Sequence, residues 1–123
     1  MTTRQINRLV STLIKIYKSE LKITTKIDWL YQPFDAENSE FCGLAIQHPK
    51  RKKLFCIALN STELKSRHDI ITTTLHEIHH IKMCALMRCS PDKLNRDTTH
   101  EIFADSFAEH EYLLWFKNKK LGV

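Results

Sequence analysis

The sequence predicts one α+β domain over residues 1–123: an N-terminal helix, a small three-stranded sheet containing a hairpin, and two further helices. Three observations predict it. Residues 3–21 repeat apolar side chains at three- and four-residue spacing, the period of a helix face. Residues 23–31, 41–47 and 54–59 are rich in β-branched and aromatic side chains and are separated by polar or basic segments, as strands are. Only two Gly and three Pro occur in 123 residues, too few for a many-turned barrel, and a chain of this length holds a single core.

In the first helix Ile6, Leu9, Val10, Leu13, Ile14, Tyr17 and Leu21 share a face, with Arg4, Arg8, Lys15, Lys18 and Lys22 mostly elsewhere. The first strand is expected to end before Pro33, and residues 32–40 read as an acidic loop. The second and third strands flank the tip His48-Pro49-Lys50-Arg51-Lys52-Lys53. The unbroken apolar run Leu54-Phe55-Cys56-Ile57-Ala58-Leu59 predicts a central strand buried on both faces. Ser66 and Asp69 cap a helix carrying residues 70–88, which stops before Ser90-Pro91-Asp92. The last helix is expected over residues 98–120, with Lys117, Lys119 and Lys120 at its negative end. Its apolar run Tyr112-Leu113-Leu114-Trp115-Phe116 is expected to pack on the first helix and the back of the sheet.

Nineteen Lys and Arg against fourteen Asp and Glu give a net charge of +5. That charge admits an acidic partner, nucleic acid included, through Lys50, Arg51, Lys52 and Lys53. No aromatic-interleaved RNA motif or helix-turn-helix pattern accompanies them, so the tip reads first as a solvated turn that blunts a sheet edge. No apolar run approaches the roughly 18–20 residues of a membrane span, and no signal-peptide pattern opens the chain, so a soluble cytoplasmic protein is expected. Cys42, Cys56, Cys84 and Cys89 form no C-x-x-C pair. Free thiols are expected, with a Cys42–Cys56 bridge across the hairpin as the alternative.

The segment His76-Glu77-Ile78-His79-His80 carries the chemistry. On a helix, residues four apart are rotated by about 40° and rise about 6 Å, so His76 and His80 project side by side and can ligate one zinc ion. Glu77 then stands beside the metal, where it can take a proton from water. Shuffling this composition produces the pattern about once in 40 chains, so its mid-helix placement adds weight. His79 could pair with His76 at three-residue spacing, but the His76/His80 register leaves Glu77 free as a base. A third ligand is expected from the last helix. Glu101 completes a two-histidine, one-carboxylate site with one position open, and Asp105, four residues on, can accept the far N–H of a ligand imidazole. His100 is the competing ligand, and Thr98 and Glu101 also match a capping box that would occupy the carboxylate.

His76-Glu77-Ile78-His79-His80, followed about 20 residues later by Glu101-x-x-Ala104-Asp105-x-Phe107-Ala108, resembles the ImmA/IrrE group of small metallopeptidase-like proteins. More broadly it resembles the gluzincins. The resemblance covers roughly residues 40–115. It implies a minimal zincin-like core, zinc held by His76, His80 and Glu101, Glu77 as catalytic base, and Asp105 supporting a ligand histidine. It also implies a bacterial or phage-borne protein whose substrate is a regulatory protein such as a helix-turn-helix repressor. Two departures are visible: the chain has no room for the DNA-binding domain often fused to such proteins, and His79 stands where the family commonly has a smaller residue.

The expected activity is peptide hydrolysis by zinc-activated water, on a substrate added in extended form beside a sheet edge. A zinc-containing module that inactivates a regulator by contact alone is the alternative. Tyr112 shares a helix face with Glu101 and Asp105 and could donate to an oxyanion, with His110 and His48 as weaker donors. An ordinary half-buried aromatic is the preferred reading of Tyr112.

Overall fold

The computed structural model describes residues 1–95 and 97–118. Helix α1 (Thr3–Glu20) leads into β1 (Lys26–Gln32), a single 3-10 turn (Ala36–Asn38), β2 (Gly43–Gln47) and β3 (Leu54–Asn60). Helix α2 (Arg67–Met87), a short α3 (Pro91–Asn95) and α4 (Thr98–Glu111) follow, and α4 passes into a π-helical turn (Tyr112–Phe116). The α+β class and its N-terminal helix stand as expected.

Helix α1 begins with a reciprocal cap: Thr2 Oγ1 accepts from the Gln5 amide and Gln5 Oε1 accepts from the Thr2 amide. It buries Ile6, Leu9, Val10, Leu13, Ile14 and Tyr17. The first strand starts three residues later than its β-branched run suggests. Lys22 adopts a left-handed φ of 54°, and the Ile23 amide donates back to Lys18 O at 2.9 Å, so residues 21–23 close the helix.

The sheet order is β1-β3-β2, with β1 parallel and β2 antiparallel to β3. The apolar β3 is therefore central, as its composition predicted. Ile27, Ala45, Phe55, Ile57 and Leu59 point toward the helices and join one core with α1 and α2. Cys42 lies opposite Asn60 and Cys56 opposite Ile46, so the two cysteines are offset by four positions along the strands. All four cysteines are free.

Asn60, 1% exposed, ties the loops around the hairpin base. Its Nδ2 donates to Ser39 O and Phe41 O, and its Oδ1 accepts from the Phe34 and Thr62 amides. This clamp explains why β2 begins at Gly43 rather than at residue 41. Asn60→Ala strands several backbone groups and is expected to lower stability by about 2–3 kcal/mol. A reduced urea midpoint at unchanged m value would show it.

Ser66 Oγ accepts from the Asp69 amide and starts α2, which ends on Arg88 in the left-handed region. The Ser90-Pro91 step, read from sequence as a stop, also starts α3: proline suits a first helical turn, and the Lys93 amide donates to Ser90 Oγ at 3.4 Å. The C-terminal run departs from expectation. Only Phe116 is buried, Leu113, Leu114 and Trp115 are exposed, and the contacts run to α1 and α2. Tyr17 packs against Phe107 and Phe116 and donates to Glu111 Oε1 at 2.8 Å. A π turn adds a residue to the ring, rotating residues 113–115 outward. Lys119 and Lys120 lie outside the described residues. Among the described residues no helix is long and apolar enough to cross a membrane.

Candidate metal centre

Helices α2 and α4 pack together and bring His76, His80 and Glu101 to one point. One ligand atom from each lies within 4.8 Å of the others. His76 Nε2 and His80 Nε2 are 3.0 Å apart. Glu101 Oε1 is 2.6 Å from His80 Nε2, and Oε2 is 3.1 Å from His76 Nε2. Tetrahedral ligands about 2.0–2.1 Å from a zinc ion sit about 3.3 Å from one another. The donors fit that spacing to within several tenths of an ångström, and among the described residues they are the one such group.

The cap of α4 decides between the candidate ligands. Asp97, not Thr98, is the N-cap, and its Oδ1 accepts from the Thr99 and His100 amides at 2.9 and 3.2 Å. The competing capping box of Thr98 and Glu101 is thus replaced, and the Glu101 carboxylate is left for the cluster. His100 is not one of the three, and its Nδ1 is buried without a hydrogen-bond partner. His79 also points away, its ring 5.2 Å from that of Phe107.

His76 turns its second nitrogen outward. Nδ1 lies 2.7 Å from Asp105 Oδ1, which holds the proton at Nδ1 and leaves the Nε2 lone pair directed at the cluster. Asp105→Asn keeps the shape and removes the charge. The expected result is metal binding weakened about 10–100-fold, measured by competition with a chromogenic chelator.

Glu77 is 2% exposed, with Oε1 3.9 Å from His76 Nε2 and Oε2 lacking any hydrogen-bond partner. Burial above all, then the negative charges of Glu101 and Asp105, push its carboxyl up to about 8. A dication held by the three ligands acts in the opposite direction. Burial holds His80 below the usual imidazole range, with the charge of His76 adding to it and Glu101 opposing.

Two connected hollows flank these residues. One, of about 480 Å³, is lined by Cys42, Thr72, Thr73, Asp105 and Glu109 among others; the second, of about 550 Å³, runs along β2 to Lys52, Ser90 and Pro91. Both reach Gly43, His76, Glu77 and Glu101. The Asn60 amide donates to Cys42 O and the His48 amide to Leu54 O. The alternation of an antiparallel ladder between these points turns the N–H and C=O of Gly43, Ala45 and Gln47 to the open edge of β2. Tyr112 packs edge-on against His68, ring centres 4.6 Å apart, and neither it nor His110 or His48 is among the residues lining the hollows.

Sequence reasoning missed Gly43 and Thr73, and it expected a sheet edge without assigning it to β2. A Cβ on Gly43 would stand 2.6 Å from Thr73 Cγ2 and 3.4 Å from Glu77 Cγ, so only glycine lets β2 approach α2 this closely. The scarcity of glycine was the available signal. Gly43→Ala is expected to destabilise the fold by about 1–3 kcal/mol through overpacking, and adding Thr73→Ser should restore much of it. Thermal unfolding of the single and double variants checks this.

Comparison with protein-family models, curated proteins and solved structures finds no match to the chain.

Proposed function

We propose that this chain is a zinc-dependent metallopeptidase of the gluzincin kind, similar in its site to the ImmA/IrrE group, acting in the cytoplasm on a protein substrate such as a transcriptional repressor. The observation that carries the reading is the convergence of His76 Nε2, His80 Nε2 and Glu101 beside a buried carboxylate oxygen of Glu77 that has no partner. Two imidazoles and one carboxylate suit zinc, and three protein ligands leave a position open, as catalytic sites do. A zinc ion there supplies Lewis acidity, bringing the pKa of a bound water toward about 7 and polarising a carbonyl.

The protein's own residues do the rest. Glu77 Oε2 accepts the proton released when water attacks the peptide carbonyl and returns it to the departing amine. Asp105 keeps the His76 tautomer, and the outward amides and carbonyls of Gly43, Ala45 and Gln47 can hold a substrate backbone as an added strand.

The test pairs elemental analysis with peptide hydrolysis for wild type and Glu77→Gln. Zinc in both and turnover in wild type alone is the expected outcome. A variant that still inactivates its regulator would assign the function to contact instead.

A further inference from the structure

The cleft has oppositely charged ends. Past the metal residues on one side stand Asp105 and Glu109, with His76 beside the first and His68 beside the second. On the other, the β2 edge leads to the hairpin tip. Lys52 lines the same hollow as His76, Glu77 and Glu101, and also an adjoining hollow of about 400 Å³ that includes Arg88, Gln47 and Ser90. The Lys26 amide donates to Lys53 O at 2.9 Å, which brings the start of β1 to the same end.

Lys26, Lys50, Arg51, Lys52, Lys53 and Arg88 are all exposed there, and among the described residues none of them is ion-paired. Nor is the tip a loose turn. His48 Nδ1 accepts from the Lys50 and Arg51 amides at 3.1 and 2.9 Å, and Gln47 Nε2 donates to Lys52 O at 2.9 Å. The five residues of β2 span about 17 Å of strand. A peptide held on that edge with its reacting carbonyl at Gly43 reaches the basic end four to six residues later, at roughly 3.3 Å per residue.

We propose that this basic end is a docking site for an acidic segment of the substrate, lying four to six residues from the scissile bond on one side. The inference rests on the peptidase reading and adds the substrate's chemical class. Charge complementarity selects the occupant: an Asp- or Glu-rich segment is attracted at the tip and repelled from the Asp105/Glu109 end, which also orients the chain in the cleft. An open strand edge continuous with the basic end favours a peptide over a nucleic acid, because it offers main-chain partners in register.

The test uses zinc-loaded Glu77→Gln protein, which is expected not to cut, and fluorescein-labelled twelve-residue peptides. Each has an apolar extended half and ends in four Glu, four Gln or four Lys. Anisotropy is expected to show the Glu peptide binding about tenfold tighter than the Gln peptide and the Lys peptide weakest. The preference should fade between low and high salt. Replacing Lys50, Arg51, Lys52 and Lys53 by Ser should erase it, and the single variant Lys52→Glu, checked for an unchanged melting curve, guards against a misfolded tip. N-methylation of alternate peptide amides should weaken binding as well, since the strand pairing is then broken.

Equal affinity for the Glu and Gln peptides would overturn the proposal, as would duplex or single-stranded DNA displacing the Glu peptide and binding more tightly through the same four residues. Either result leaves the peptidase reading standing. That reading fails separately, if zinc-loaded wild type cleaves no peptide or protein offered.

Discussion

Glu77→Gln is expected to bind metal at the wild-type stoichiometry and to lose about 10²–10⁴-fold in turnover, the usual contribution of a positioned general base. The substitution is nearly isosteric. It leaves His76, His80 and Glu101 in place and removes the group that can hold the transferred proton. A second signature separates this from a loss of shape. In the metal-free protein the carboxyl is raised from 4.5 to about 8, so the folded state retains a proton that the unfolded chain has released. Stability is then full below about pH 4.5 and is lost as pH rises toward 8. Glu77→Gln should flatten that decline while abolishing turnover, seen by denaturant titrations at several pH values.

Zinc is expected to raise the melting temperature of metal-free protein by about 10 °C at a hundredfold excess over its Kd, and His80→Ala to abolish the rise. Linkage at that excess supplies about 2.7 kcal/mol, and each kcal/mol shifts a domain of this size by roughly 3–5 °C. His80 is fully buried, with Glu101 Oε1 2.6 Å away, so its removal deletes one of the three donors of the cluster. Calorimetry with and without zinc reads both effects. Both the fold and its response to zinc should weaken in acid. Burial first, then the charges of His80, His76 and His100, lower His79 from 6.5 to about 4. Its neutral form contributes stability that is present above about 6.5 and is lost as pH falls toward 4. Protons also compete with metal for the imidazoles.

Much of the site was legible because its ligands obey a local period. His76 and His80 are one helical turn apart, and Glu101 and Asp105 repeat that spacing, so two pairs of side chains could be placed on helix faces from sequence. The capping ambiguity at residues 98–101 was not resolvable that way. Asp97, Thr98 and Glu101 all offer side chains suited to the start of a helix, and only the backbone conformation shows that Asp97 takes the amides. The end of the last helix was misread for a related reason: five apolar residues in a row fit a helix packed on two sides, and the π turn that swings three of them outward has no sequence period of its own.

By itself the sequence determined the α+β class, the central place of β3 and the pairing of histidines and carboxylates on two helices, since each follows from periodicity within a dozen or so residues. Only the tertiary structure decided that Glu101 rather than His100 meets the histidines, that Asp105 orients His76, and that Gly43 draws an open strand edge against Glu77. The reason is distance along the chain. His80 meets Glu101 across 21 residues and His76 meets Asp105 across 29, and such contacts depend on how α2, α4 and β2 pack, which no local pattern encodes.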